Sequence, residues 1–148
     1  MKALSLTQPW ASLVACGAKR IETRNWSTPY RGWLAIHASA GFPRECRFLC
    51  YQSPFVDHLG GGADLPLGAI LAVCRLLAVE TTEKWWRRYT LKPDAEFERE
   101  TPLGNYSPSR YAWHLVDIVS LPEPIPCKGA LRLWTVPQEI EERIKDAL

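Results

Sequence analysis

The sequence predicts an α+β fold: a small mixed β-barrel of five to six strands with flanking helices. Three observations carry this. Short apolar or alternating runs rich in β-branched and aromatic residues recur along the whole chain. Helical patterns lie between them without regular strand–helix–strand alternation, which argues against a parallel doubly wound sheet. At 148 residues the chain suffices for one core but not two comfortable ones. Curling such a sheet into a barrel also removes strand edges that invite aggregation.

Each element has its own signal. "MKALSL" alternates and reads as a first strand. "TQPWASLVACG" reads as a helix, with proline in its first turn, Trp10, Leu13 and Val14 on one face, and Gly17 as a left-handed stop. "GAKRIETRNW" continues as a strand, "STPYRG" as a turn and "WLAIHAS" as a strand. "FPRECRFLCYQ" predicts a helix begun by Pro43, and "HLGGGADLPLG" a loop. "GAILAVCRLLAVE" is a strand apolar enough to be covered on both faces. Between Thr81 and Tyr106 the mixed charges predict an irregular excursion or lid, variable over about 81–105. "RYAWHLVDIVSL" and "GALRLWTV" are strands separated by the proline-rich turn "PEPIPCKG". "PQEIEERIKDAL" predicts a last helix with Ile140, Ile144 and Leu148 on one stripe. Residues 1–148 thus read as one domain.

Composition excludes several classes of function. The 47% apolar and 23% charged residues are the balance of a folded chain rather than a disordered one. A net charge of +2 excludes a bulk polycation but permits a local basic cleft. Seven tryptophans exceed the needs of a core this size, so some are expected on a binding surface. The five cysteines are odd in number and lack paired CxxC spacing, so neither a disulfide framework nor a metal site is expected. No signal-peptide pattern and no membrane-length apolar run is present, and the expectation is a cytoplasmic, reduced protein without membrane contact and without a cofactor.

The chemistry concentrates just after the first helix. At strand spacing Arg20, Glu22, Arg24 and Trp26 share one face, with Glu22 and Arg24 roughly 6–7 Å apart. Lys19 joins them only if the chain bends as it leaves Gly17. A structural ion pair is the plain reading, but burying one is an expensive way to gain stability. Three cations and one carboxylate between Trp10 and Trp26 suit a pocket floor. There is no nucleophile elbow, no HExxH and no phosphate-binding glycine loop. "SPSRYAWHL" adds Arg110, Tyr111 and Trp113, a combination suited to phosphate contact and base stacking.

Taken in order, "ALSLTQPWASLVACGAKRIETRNW", "YRGWLAIHAS", "GAILAV" and "RYAWHLVDIVSLPEPIPCKGALRLW" resemble the ASCH family, named for homology to activating signal cointegrator-1. The family signature GxKxxExR falls on Gly17, Lys19, Glu22 and Arg24, and the resemblance runs from about residue 2 to residue 135. It implies a PUA-like barrel with a cleft beside the first helix, walled by Gln8, Pro9 and Trp10. Lys19, Glu22 and Arg24 would form the floor, and Ser39, Arg110 and Trp113 the rim. The implied partner is single-stranded RNA or a modified nucleotide or nucleoside. Some members resemble enzymes, an N4-acetylcytidine amidohydrolase or a ribonuclease, which makes the alternative a small hydrolase using Lys19 and Glu22. Against the amidohydrolase, Glu22 stands where that branch has a threonine nucleophile. A further reading keeps the charged strand structural and places function in protein contacts along Trp85, Trp86 and the last helix. If Lys19 and Arg110 serve only a ligand, replacing them should cost little stability, less than replacing Gly17.

Overall fold

In the computed structural model, which describes residues 1–148, six strands form one mixed sheet. They are β1 (Lys2–Leu6), β2 (Ile21–Arg24), β3 (Gly32–Ala38), β4 (Ala69–Thr81), β5 (Tyr111–Pro126) and β6 (Leu133–Thr135). Across the sheet they run β2–β5–β4–β3–β1–β6. β1 and β3 pair in parallel and every other neighbouring pair is antiparallel. The expected α+β fold is therefore present.

The sheet is a half-barrel rather than a closed one, because its edges meet through side chains. Arg132, just ahead of β6, lays its guanidinium 4.3 Å from the ring of Trp26, just past β2. Arg24, the last residue of β2, donates from Nη2 to the Ser5 carbonyl of β1 at 2.7 Å. No backbone ladder joins β2 to β1 or β6.

The helices are α1 (Trp10–Ala15), α2 (Arg44–Leu49), α3 (Phe55–Leu59), α4 (Thr82–Leu91), α5 (Ala95–Glu100) and α6 (Gln138–Ala147). Inside the curl, Leu4 and Leu6 of β1, Leu34 and Ile36 of β3, Cys74 and Leu76 of β4 and Trp113 of β5 pack under Ala11 and Val14 of α1. On the outer face Ala35, Val73 and Ile125 pack under Ile140 and Ile144 of α6. Truncating one of these large aliphatic side chains should cost about 2–5 kcal/mol.

Several sequence expectations are corrected. The stretch after Thr81 is helical: Thr81 caps α4 by accepting from the Lys84 amide at 3.2 Å, and Asp94 caps α5 by accepting from the Phe97 amide at 3.0 Å. These helices build a small core with Ile21 of β2 and Ala112 of β5, in which Trp85 is fully buried against Tyr89, Phe97 and Tyr106. Trp85 thus offers no surface to a partner. The "PEPIP" segment is strand, not turn, since β5 runs on to Pro126. β2 flanks β5 only at residues 111–114, so the prolines at alternating positions 122, 124 and 126 can face an unpaired edge. The loop expected from His58 instead begins at Gly60, whose left-handed φ of 71° ends α3. Leu148 lies beyond α6 and is exposed.

Candidate nucleic-acid interface

The charged strand lines a hollow of about 300 Å³ at the open side of the half-barrel. How the chain enters β2 explains its composition. Gly17 adopts φ +79° after α1, a conformation costly for any side chain with a Cβ, and the chain turns before β2 begins at Ile21. The turn brings Lys19 onto the side of Glu22 and Arg24, its Nζ 3.9 Å from Glu22 Oε2. Arg20 goes elsewhere, its Nε donating to the Gly17 carbonyl at 3.4 Å.

The start of β2 is held from the helical excursion. The Glu100 carboxylate, fully buried at the end of α5, accepts the Arg20 amide at 2.8 Å and the Ile21 amide at 3.2 Å. The neck of the excursion closes on the segment leading into β5 through Thr82, whose Oγ1 donates to the Ser107 carbonyl at 2.9 Å. From that neck come Gly104 and Asn105, two lining residues outside the sequence expectation. A Cβ on Gly104 would stand 2.9 Å from the Tyr106 ring and 3.4 Å from Lys19 Nζ, so only glycine fits without displacement there. Arg110 spans the mouth, donating from Nε to the Asn105 carbonyl at 3.1 Å and from Nη2 to the Thr23 carbonyl at 2.9 Å.

Within the hollow one carboxylate, Glu22, faces the three cations Lys19, Arg24 and Arg110, and hydrogen-bonding capacity is left over. Lys19 is 1% exposed and donates to the Ile21 carbonyl. Arg24 Nε lies 3.6 Å from Glu22 Oε1, too far for a hydrogen bond. Buried Glu22 Oε2 and Arg24 Nε have no hydrogen-bond partner in the protein. Leaving a buried polar group unpaired costs about 1–3 kcal/mol, more for a charged one. Trp85 Nε1 and Tyr106 Oη are unpartnered too, but Glu22 and Arg24 differ in lining an open hollow, where water or a ligand can complete them. Trp10 supplies the apolar wall; its Nε1 donates to the Leu103 carbonyl at 3.0 Å and its ring meets Phe55 edge-on.

Of the residues expected at the site, Trp10, Lys19, Glu22, Arg24 and Arg110 line this one hollow. Ser39 lines an adjoining hollow instead. Gln8 is fully buried and spends its amide on Ser12 and the Pro66 carbonyl, so it shapes the wall from behind. Pro9 is buried as the residue ahead of α1. Trp113 is fully buried and packs edge-on to Trp26 at 4.7 Å, so it belongs to the core and presents no face to a ligand. Lys19, expected to lie outside the core, is buried, which takes away the premise that it can be removed at little cost. No three His, Cys, Asp or Glu side chains come together in a way that could hold a metal ion.

The geometry now has its context in related proteins. The sequence matches the profile of the ASCH domain over residues 4–124. The chain belongs to the ASCH family. It is 29% identical over 153 residues to human activating signal cointegrator 1 and 28% identical over 149 residues to the mouse protein of that name. Each alignment takes in 98% of this chain and 24% of the relative, so this ASCH chain spans about a quarter of those proteins. Among solved structures it is similar to the ASCH protein of Zymomonas mobilis, at a TM-score of 0.57 and 15% identity over 98% of this chain and 93% of that one. A tyrosine-to-phenylalanine mutant of the same bacterial protein gives a TM-score of 0.57 at 16% identity, covering 98% of this chain and 96% of that one. At such identities the likeness concerns the ASCH fold alone. No helix of the chain is long and apolar enough to cross a membrane.

Proposed function

We propose that the chain is an RNA-binding ASCH domain which takes one nucleotide of a single strand, or a modified nucleotide, into the hollow floored by Lys19, Glu22 and Arg24. The observation that carries this reading is the unused capacity of Glu22 Oε2 and Arg24 Nε in a hollow also lined by Lys19 and Arg110. Three cations around one carboxylate favour an anionic ligand. A carboxylate between them suits the exocyclic amino group of a base, the pairing by which Glu and Asp read cytosine N4. Trp10 gives the base an apolar wall. The volume, about 300 Å³, is at the small end for ligand pockets and matches a single nucleotide better than a duplex.

A hydrolytic role draws less support. Lys19 has its amine on the Ile21 carbonyl and is almost wholly shielded, the position of a fixed counter-charge rather than of a group that attacks a substrate.

Fluorescence anisotropy with labelled oligo(C) and oligo(U) RNA across a salt series tests the proposal. Binding is expected to favour the amino-bearing base. Log affinity should fall with log salt at a shallow slope, about 0.7 per phosphate neutralised on a single strand. Arg24→Ala should lower affinity, and Glu22→Gln should erase the base preference. Absence of binding at low salt overturns the proposal.

A further inference from the structure

Beside the first hollow lies a second, of about 770 Å³, and the two share Ser5, Thr7 and Arg24 as a common wall. We infer that this second hollow holds the neighbouring phosphodiester and sugar, so that the chain recognises at least two consecutive nucleotides rather than a free one. The inference rests on the nucleotide reading of the first hollow.

Charge is the first support. The chain has 18 Lys and Arg against 16 Asp and Glu, yet the second hollow is lined by Arg24, Lys128 and Arg132 and by no carboxylate. Neither Lys128 nor Arg132 forms an ion pair elsewhere. One-signed walls around a concavity concentrate the field on a ligand of the opposite sign.

Pre-organisation is the second support. Lys128 and Arg132 sit on the irregular segment between β5 and β6, which the barrel holds in place. The Cys127 carbonyl is 2.8 Å from His37 Nε2. A carbonyl only accepts, so Nε2 carries the proton, and Nδ1 accepts from Ser5 Oγ at 3.0 Å. Trp134 Nε1 donates to the same Ser5 Oγ at 3.1 Å. Gly129 passes so close over this pair that a Cβ would stand 2.7 Å from His37 Nδ1 and 2.8 Å from Ser5 Oγ. Arg132 takes a left-handed φ of 58° and rests over Trp26. The backbone carrying Lys128 is thus anchored on both sides, and the Arg132 guanidinium is held by a ring, so meeting a phosphate costs less loop ordering than on a loose segment.

Connectivity is the third support. Arg24 stands in the shared wall, so a strand running from one hollow to the other carries its linking phosphate past that guanidinium. Both nitrogens of His37 are already bonded, so the second hollow offers a phosphodiester cations but no free imidazole. That is a holding site.

Calorimetric titration of the full chain with cytidine and with the dinucleotide CpC tests the inference. CpC should bind roughly ten- to a hundredfold tighter than cytidine, the scale of one or two charge-assisted contacts. Lys128→Glu, which touches no aromatic ring, and the double variant Lys128→Ala/Arg132→Ala should each remove most of that gain. Both should leave cytidine binding at the wild-type level, which also reports an intact fold. Equal affinity for the two ligands in the wild type, or a gain that survives in both variants, overturns the inference while leaving the first hollow's reading standing. If neither cytidine nor any oligonucleotide binds, the nucleotide reading fails and takes the inference with it.

Discussion

Glu80 and Glu22 are shielded to nearly the same degree, with side chains 10% and 12% exposed, and both lie among cations. Around Glu80 the donors are complete. Arg88 grips it through two nitrogens at 2.6 and 2.8 Å, and His114 Nε2 adds a third contact at 2.8 Å. Burial alone would raise its pKa, but these bonds and charges outweigh it and hold the carboxyl below its ordinary range. Around Glu22 the nearest cationic nitrogen is 3.6 Å away and no bond closes. The same residue types thus build a finished strut on one side of β5 and an open receptor on the other. Glu100 is a third case, wholly buried, accepting from two backbone amides and from Arg99 Nε at 3.3 Å.

The contrast can be broken by mutation. Glu100→Ala should have the largest effect on stability, about 2–4 kcal/mol by urea denaturation, because it empties a fully buried site and strands the buried Ile21 amide and the part-buried Arg20 amide. It should also weaken RNA binding by loosening the entry to β2. Lys19→Ala comes next at about 2 kcal/mol, through lost packing and a less compensated Glu22, against about 1 kcal/mol for Gly17→Ala. If Gly17→Ala proves the more damaging, Lys19 is not a structural member. Glu80→Gln should cost about 1–2 kcal/mol, discounted because Arg88 is 46% exposed, and leave RNA affinity unchanged. Glu22→Gln should cost less than Glu80→Gln, within about 1 kcal/mol, since no hydrogen bond is lost. Its anisotropy signal should nonetheless show weakened binding. Equal stability losses for Glu22→Gln and Glu80→Gln would erase the distinction.

The smallest effect is a pH dependence that separates the strut from the loop anchor. Burial holds the His37 pKa below its ordinary value of 6.5, only partly offset by the bond to the Cys127 carbonyl. The unfolded chain therefore takes up this proton first, so the contribution is complete above pH 6.5 and is lost as pH falls through the folded value. Glu80, also depressed, contributes above its ordinary 4.5 and loses that contribution only below it. Melting temperature should thus decline slightly from about pH 7.5 to about pH 5.5, and His37→Gln should flatten the slope. A slope unchanged by His37→Gln would mean that the histidine does not set this pH dependence.

Much of this was legible in the residues. Period-two spacing correctly put Glu22 and Arg24 on one face, and Gly17 marked the bend that delivers Lys19 to them. Gly104 and Asn105 were not legible, because they reach the hollow only once α4 and α5 fold and Thr82 closes the neck. Those helices carry a signal, Trp85 and Tyr89 four residues apart behind the cap Thr81, and Phe97 behind the cap Asp94, but mixed charges on their exposed faces mask it. Trp113 was misplaced for another reason. At Ala112 and Trp113 β5 is buried on both faces, Ala112 under the Trp85 cluster and Trp113 in the core beneath α1, and alternation there does not separate core from cleft. The hollow of Lys128 and Arg132 depends on a half-barrel seam that no local pattern reports.

The Arg24–Ser5 bond has a mechanical corollary. It ties two strands that the sheet order keeps apart, across a gap with no ladder to hold it. Whatever grasps that guanidinium from outside braces both rims of the opening at once. Amide exchange along Ile21–Arg24 and Lys2–Leu6 should therefore slow in concert when the cleft fills, although these segments share no backbone bond.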